Sequence, residues 1–267
     1  MSLRITESVD LNKLADGYKK KRRLPDGILT EIVETIESYL WIKLANLVVD
    51  IGSGTGRFLL PLAERNPDVS FVGIDKAKGM LDKCSLDIKN KKLKNVSLVE
   101  ADLGDKILFG DGKVDSVILY HVLHIVEDKV LLVNELRRIL KKGGRLLVAS
   151  TSHSQLKNTW NYKYMPKILD WELRRTPDTS EIVKMLKSGG FKLVGVKEIN
   201  VKKYFSSVDE WINFFRLRPI SILSGLSDDE LEDQLEEAGK RLIRDLGENI
   251  SFEYGFDCHT QLFFEKL

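Results

Sequence analysis

The 267-residue chain sets 42 Lys and Arg against 40 Asp and Glu, with 43% hydrophobic residues and only 6 Pro. That composition excludes a disordered or collagen-like chain, and the near-neutral balance excludes a strongly basic nucleic-acid coat protein. Two distant cysteines, Cys84 and Cys258, lack a CxxC partner, so neither a disulfide framework nor a cysteine zinc site is expected, and a reducing cytoplasm fits. Met1 to Glu7 shows no secretory apolar core, and no run approaches the roughly 18 apolar residues of a membrane span.

A helix is predicted from Asp26 to Leu40, after the basic run Lys19 to Arg23 and Pro25. Leu47 to Ile51 then reads as a buried strand, followed by Gly52-Ser53-Gly54-Thr55-Gly56 and a helix from about Arg57 that stops before Pro67. Further strands are expected at Phe71 to Asp75, Val96 to Val99, Val114 to Tyr120 and Arg145 to Ser150. Helices are expected at Lys78 to Asn90 and around Leu132, Val133, Leu136, Ile139 and Leu140, whose spacing lays one apolar stripe on a sheet. Gly143-Gly144 is expected to cap that helix. Such alternation of strand and helix is the pattern of a parallel α/β sheet.

Beyond Thr151 the pattern loosens. Residues 152–177 carry Trp160, Tyr162, Tyr164 and Trp171, too aromatic for a solvated linker and without strand alternation. A helix from Ser180 to Ser188, a strand from Lys192 to Val201, a helix opened by the capping box Ser227 to Glu230, and a last strand from Ser251 to Glu265 complete the reading. The whole reads as one domain: an N-terminal helical segment (1–44), a core (45–151), and a helical insert with the final strands (152–267).

A strand, a glycine turn and a helix can hold a nucleotide-like ligand, because glycine turns tightly and presents no Cβ to it. Acids fall near strand ends at Asp50, Asp75 and Asp102, and a carboxylate at Asp75 suits the paired hydroxyls of a ribose. Asp102 could accept from an adenine amine, with the Leu103 N–H beside it. The phosphate-binding pattern Gly-x-x-x-x-Gly-Lys-Ser/Thr is absent. So is the dinucleotide fingerprint, since Gly56 comes one residue early and Arg57 stands at its third glycine. A nicotinamide-dependent oxidoreductase is thereby disfavoured.

The segment Asp50-Ile51-Gly52-Ser53-Gly54-Thr55-Gly56 resembles motif I of the class I S-adenosylmethionine-dependent methyltransferases. The resemblance continues in order through Asp75, Ala101-Asp102-Leu103, Asp115 to His124 and Leu140 to Val148, where Lys142 replaces a usual proline; it spans about residues 45–151. It is closest to the small-molecule, type-11-like branch. It implies a Rossmann-like, seven-stranded, mostly parallel sheet with an antiparallel last strand and helices on both faces. It also implies S-adenosylmethionine as cofactor and a small organic methyl acceptor. By carry-over the cofactor set is Arg23, Asp50, Gly52, Ser53, Gly54, Asp75, Lys76, Met80, Asp102, Leu103 and His121. Arg23 would pair with the methionine carboxylate and Met80 would pack on the adenine. Tyr18, His124, Trp160 and Trp211 would face the acceptor.

Methyl transfer from a sulfonium is an in-line displacement with a good leaving group, so alignment and exclusion of water dominate. No catalytic residue is assigned. His121 and His124 are the candidates for a base or a substrate contact, and His121-x-x-His124 lacks the third ligand of a metal site. The missing Asn/Asp-Pro-Pro-Tyr/Phe motif disfavours methylation of nucleic-acid bases, and the basic runs at 19–23 and 89–94 read as solvated faces. A protein or tRNA methyltransferase, or a non-catalytic S-adenosylmethionine binder, are the alternatives. The sequence specifies neither the acceptor nor an oligomeric state.

Overall fold

In the computed structural model, the structure describes residues 22–102, 107–247 and 251–267, apart from the side chains of Trp160 and residues 254–257. Tyr18 and Leu103 lie outside the described residues, as does the Trp160 side chain.

Seven strands form one sheet in the order β3-β2-β1-β4-β5-β7-β6. They are β1 (Leu47–Ile51), β2 (Ser70–Asp75), β3 (Val96–Glu100), β4 (Val114–Tyr120), β5 (Leu140–Ser150), β6 (Phe191–Phe205) and β7 (Phe252–Lys266). The first five run parallel; β7 is antiparallel to both β5 and β6. Strand order reverses between β1 and β4, and ligands of open parallel sheets bind outside the carboxyl ends at such a point.

Strand alternation builds a core on each face of the sheet. Val49, Ile51, Val117, Leu119, Leu146 and Val148 pack with helices α4 (Lys129–Ile139) and α8 (Thr179–Ser188). Val48, Phe71, Ile118, Leu147 and Ala149 point the other way, against α1 (Asp26–Tyr39), α2 (Leu59–Arg65) and Cys84 of α3 (Lys78–Lys91). Successive side chains of a strand point to opposite faces, so both faces must be covered.

The segment that lacks alternation folds as α5 (His153–Asn158), α6 (Trp160–Tyr164) and α7 (Pro166–Arg175). These pack with α9 (Val208–Arg216) and α10 (Asp228–Leu246) around a third core centred on Tyr164, Ile168, Trp211, Phe215 and Leu235. The strands β6 and β7 reach past β5 as a two-stranded ribbon, and Phe205 and Phe252 on it join this core. The insert is thus held over the carboxyl edge of the sheet. Ser227 and Glu230 do cap α10 reciprocally, with Glu230 N donating to Ser227 Oγ at 3.2 Å and Ser227 N to Glu230 Oε2 at 2.9 Å.

Two local expectations change. The helix after the glycine turn begins at Leu59 rather than Arg57, because Gly56, at φ +78°, donates to Ser53 O at 2.9 Å and prolongs the turn. Gly143-Gly144 does not cap α4, which ends at Ile139. The pair instead makes an irregularity inside β5, where the register with β4 slips between Val114 and Ser116. Gly143 has φ +74°, and a Cβ on Gly144 would meet Lys141 O at 2.8 Å.

Candidate active site

The turn after β1 is built from backbone. Gly52 N and Ser53 N both donate to Ile74 O, at 2.7 and 3.0 Å, binding the turn to the end of β2. Gly52, Gly54 and Gly56 all have positive φ, which glycine adopts without the Cβ penalty. A Cβ at Gly52 would strike Val122 Cγ2 at 2.3 Å, whereas one at Gly54 meets nothing nearer than Asp75 Oδ2 at 4.0 Å. Gly54 therefore borders open space, a cradle that a ligand can approach.

Asp75 closes β2 with its carboxylate held by two amides: Gly54 N donates to Oδ2 and Ala77 N to Oδ1, both at 2.8 Å. Burial pushes its pKa up, and those backbone donors together with Lys76 pull it back. Asp50, on β1, is 3% exposed, and its pKa is pushed up to about 8, first by burial and then by the charge of Asp75. One of the two neighbouring carboxyls, Asp50, is therefore mostly neutral at pH 7, which relieves the repulsion between them.

The turn opens into a cleft holding about 1480 Å³ of space, its mouth included. One end is lined by Asp50, Gly52, Ser53, Gly54, Asp75 and Met80. The other is lined by His124, Asn161, Tyr162, Glu172, Arg175 and Ser221, with Tyr120 and His121 along the wall and Arg22 and Arg57 also contributing. Ser53 Oγ is buried and has no hydrogen-bond partner among the described residues.

The far end is held by ion pairing. Arg175 donates through Nε and one terminal nitrogen to both carboxylate oxygens of Glu172, at 2.9 and 3.1 Å, and to Ser221 Oγ at 3.0 Å. Burial raises the Glu172 pKa against this pairing. Tyr162 is pushed well above its usual 10, by burial and then by Glu172, so its phenol stays protonated. His124 is held well below 6.5 by burial and then by electrostatic interaction with Arg175, His121, Arg22 and Lys129. Its ring is neutral at pH 7 and resists taking a proton.

Tyr120 ends β4 beside Gly52, since its neighbour Leu119 pairs with Ile51. Its hydroxyl shares a short hydrogen bond with His259 Nε2, and Gln261 Nε2 donates to the same oxygen at 3.0 Å. Sequence reading missed all three residues, because β7 is far along the chain and Tyr120 reads as an ordinary strand end.

The residues singled out from sequence separate into two groups. Asp50, Gly52, Ser53, Gly54, Asp75, Met80, His121 and His124 come together around the cleft. Arg23 does not. Its side chain is 73% exposed and pairs with Asp26 at 3.3 Å, and Arg22 lines the cleft instead. Trp211 is also misplaced by sequence. It is fully buried against Phe215, at 4.4 Å between ring centres, inside the third core. Lys76 and Asp102 stand outside the cleft lining, half exposed and facing each other at 3.9 Å.

A parallel sheet with this strand order, a glycine turn after β1 and a buried carboxylate closing β2 defines the class I fold of S-adenosylmethionine-dependent methyltransferases. The chain belongs to the methyltransferase-domain family, whose model matches residues 43–194, more than half its length, and S-adenosylmethionine is its cofactor. It is 29% identical over 131 residues to the ubiquinone/menaquinone biosynthesis C-methyltransferase UbiE of Geobacter sp. (strain M21), covering 46% of this chain and 56% of that protein. It is 29% identical over 141 residues to a tRNA (guanine-N(7)-)-methyltransferase of Aquifex aeolicus, covering 48% of this chain and 46% of that one. The chain thus spans about half the length of these curated relatives. The YcgJ protein of Bacillus subtilis shares the fold at 20% identity with a TM-score of 0.62, over 91% of this chain and 99% of that one. Among the described residues no cluster of His, Cys, Asp and Glu is arranged to hold a metal, and no helix is long and apolar enough to cross a membrane.

Proposed function

We propose that the protein methylates a small organic acceptor, with S-adenosylmethionine at the glycine-turn end of the cleft and the acceptor at the Tyr162–Arg175 end. The observation that carries this reading is the continuity of one cleft from Gly54 and Asp75 to the helical insert. When bound, S-adenosylmethionine supplies an electrophilic methyl group with a neutral sulfide as leaving group. Asp75 would hold the ribose hydroxyls, Gly52 and Gly54 would let the ligand approach the backbone, Ser53 Oγ would gain a partner, and Met80 would pack on the base. Arg22 takes the role first expected of Arg23, facing the methionine carboxylate.

The insert closes the acceptor end and excludes water, which is the protein's main task in such a displacement. Tyr162 stays a hydrogen-bond donor, and neutral His124 can receive a hydrogen bond from an acceptor hydroxyl. The likeness to UbiE, a C-methyltransferase of ubiquinone/menaquinone biosynthesis, supports a small ring acceptor over a polynucleotide.

Titration calorimetry with S-adenosylmethionine and S-adenosylhomocysteine, followed by transfer of a tritiated methyl group into a deproteinised metabolite extract, tests the reading. Binding and a labelled small product are expected. Binding without transfer to any metabolite would overturn the enzymatic reading and favour a non-catalytic binder.

A further inference from the structure

What the far end of the cleft can recognise depends on which of its polar groups are already engaged. Glu172 and Arg175 stand three residues apart near the end of α7 and so share one helix face. Arg175 donates from Nε to Glu172 Oε2 at 2.9 Å and from Nη2 to Glu172 Oε1 at 3.1 Å. Thr176 Oγ1 adds a donor to Glu172 Oε1 at 3.4 Å. Both carboxylate oxygens are therefore in use, and what they do is hold the guanidinium. The same Nη2 reaches Ser221 Oγ at 3.0 Å, and the Trp171 ring centre lies 4.8 Å from the guanidinium carbon. These contacts remove beforehand the rotamer freedom that binding a ligand would otherwise cost.

They also occupy only one edge of the group. Among the described residues Nη1 has no hydrogen-bond partner, and it is not one of the atoms closed off from open space. The space that Arg175 borders is the cleft. Two further donors line the same end. The Tyr162 phenol keeps its proton, and the Ser221 hydroxyl, which accepts from Arg175, still has its own proton to give. A positive, planar donor with two hydroxyls beside it matches a group that only accepts and is negative. A carboxylate fits that description, with its two oxygens in one plane. One negative charge suits the place better than two, because Glu172 already offsets part of the Arg175 charge.

We propose that the methyl acceptor is a small organic carboxylate, that Arg175 binds its carboxylate through Nη1, and that Glu172 is the positioning residue, an assignment that rests on the function proposed above. The carboxylate is a handle at the insert end, and the atom that receives the methyl group points toward the glycine turn. The handle is therefore still present in the product. An otherwise similar molecule without it would cover Nη1 and leave that donor unpaired, which is the physical basis of the selectivity.

The test starts from the labelled product that the wild type makes in the deproteinised extract. On a strong anion exchanger it should be retained at about pH 7 and released at about pH 2, where carboxylates are protonated. Alkaline phosphatase should not alter its retention. The extract fraction that supplies the acceptor then serves for kinetics with wild type, Arg175→Met and the double variant Glu172→Leu/Arg175→Met. The double variant removes both members of the buried pair, so no uncompensated charge is left behind. In both variants KM for the acceptor should rise about 10- to 100-fold, with kcat and S-adenosylhomocysteine affinity within about threefold of wild type. A labelled product that passes through the exchanger, one that phosphatase releases, or a double variant with unchanged KM would each overturn the carboxylate assignment while leaving the enzyme reading intact. No labelled product from the wild type would overturn both. If Arg175→Met unfolds, the double variant and the exchanger decide.

Discussion

Asp75 fastens the end of β2 to the glycine turn: its Oδ2 accepts the Gly54 N–H at 2.8 Å. One carboxylate therefore shapes the turn and, in the function proposed above, would also face the ligand that the turn receives. Replacing it with alanine removes a charged acceptor from a largely buried place. Asp75→Ala is expected to weaken S-adenosylhomocysteine binding by about 1.5–3 kcal/mol, the range for a charged hydrogen bond. Calorimetry reads this directly, and equal affinities would show that the carboxylate does not grip the ligand.

The three turn glycines are not equivalent. Gly52→Ala drives a Cβ into Val122 at a left-handed backbone position, and about 2–4 kcal/mol of stability should be lost. Gly54→Ala meets only open space, so thermal melting should move far less, by an amount matching about 1–2 kcal/mol. Its cofactor affinity should nevertheless fall, because the added methyl occupies the approach to the turn. A Gly54→Ala protein that binds S-adenosylhomocysteine as wild type does would place the ligand elsewhere.

Asp50 makes stability depend on pH. Its carboxyl titrates near 3.8 when exposed and at about 8 in the folded protein. Between those values the folded chain holds a proton that the unfolded chain has released. The stabilisation is fully present below about pH 4 and is lost as pH rises toward 8. Melting temperature should therefore fall from pH 5 to pH 8 in the wild type and fall less in Asp50→Asn. The variant should not become flat, since Asp75 is shifted in the same direction. Parallel curves for the two proteins would refute the burial of a neutral carboxyl here.

Trp211 separates the insert's own stability from the chemistry. Truncating this fully buried ring should cost about 3–5 kcal/mol. S-Adenosylhomocysteine affinity measured well below the melting temperature should stay within about threefold of wild type, because Trp211 does not line the cleft. A large loss of affinity in a folded Trp211→Ala protein would return Trp211 to the site.

The glycine-turn end of the cleft was legible because its determinants are local. Glycines spaced every second residue after an apolar strand, and an aspartate closing the next strand, each declare a backbone requirement within a few residues of themselves. Their order along the chain, carried over from a family pattern, was enough to predict a seven-stranded, mostly parallel sheet with an antiparallel last strand. Arg23 and Trp211 show where that reach ends. A one-residue choice between Arg22 and Arg23 depends on which side of the chain turns inward ahead of α1. Aromatic content alone cannot say whether an indole fills a core or a pocket.

Sequence alone determined which strands are buried, where the glycine turn lies and which carboxylate closes the second strand, since hydrophobic period and backbone freedom are short-range properties. Tertiary structure decided what stands opposite what. Residues 120 and 259 meet only because β7 enters the sheet antiparallel beside β5 and Ala149 between them is small. The same packing removes Asp50 from water and surrounds His124 with positive charge, setting the protonation of both. Proton affinity follows the local dielectric and neighbouring charges, and those come into being only when distant segments pack together.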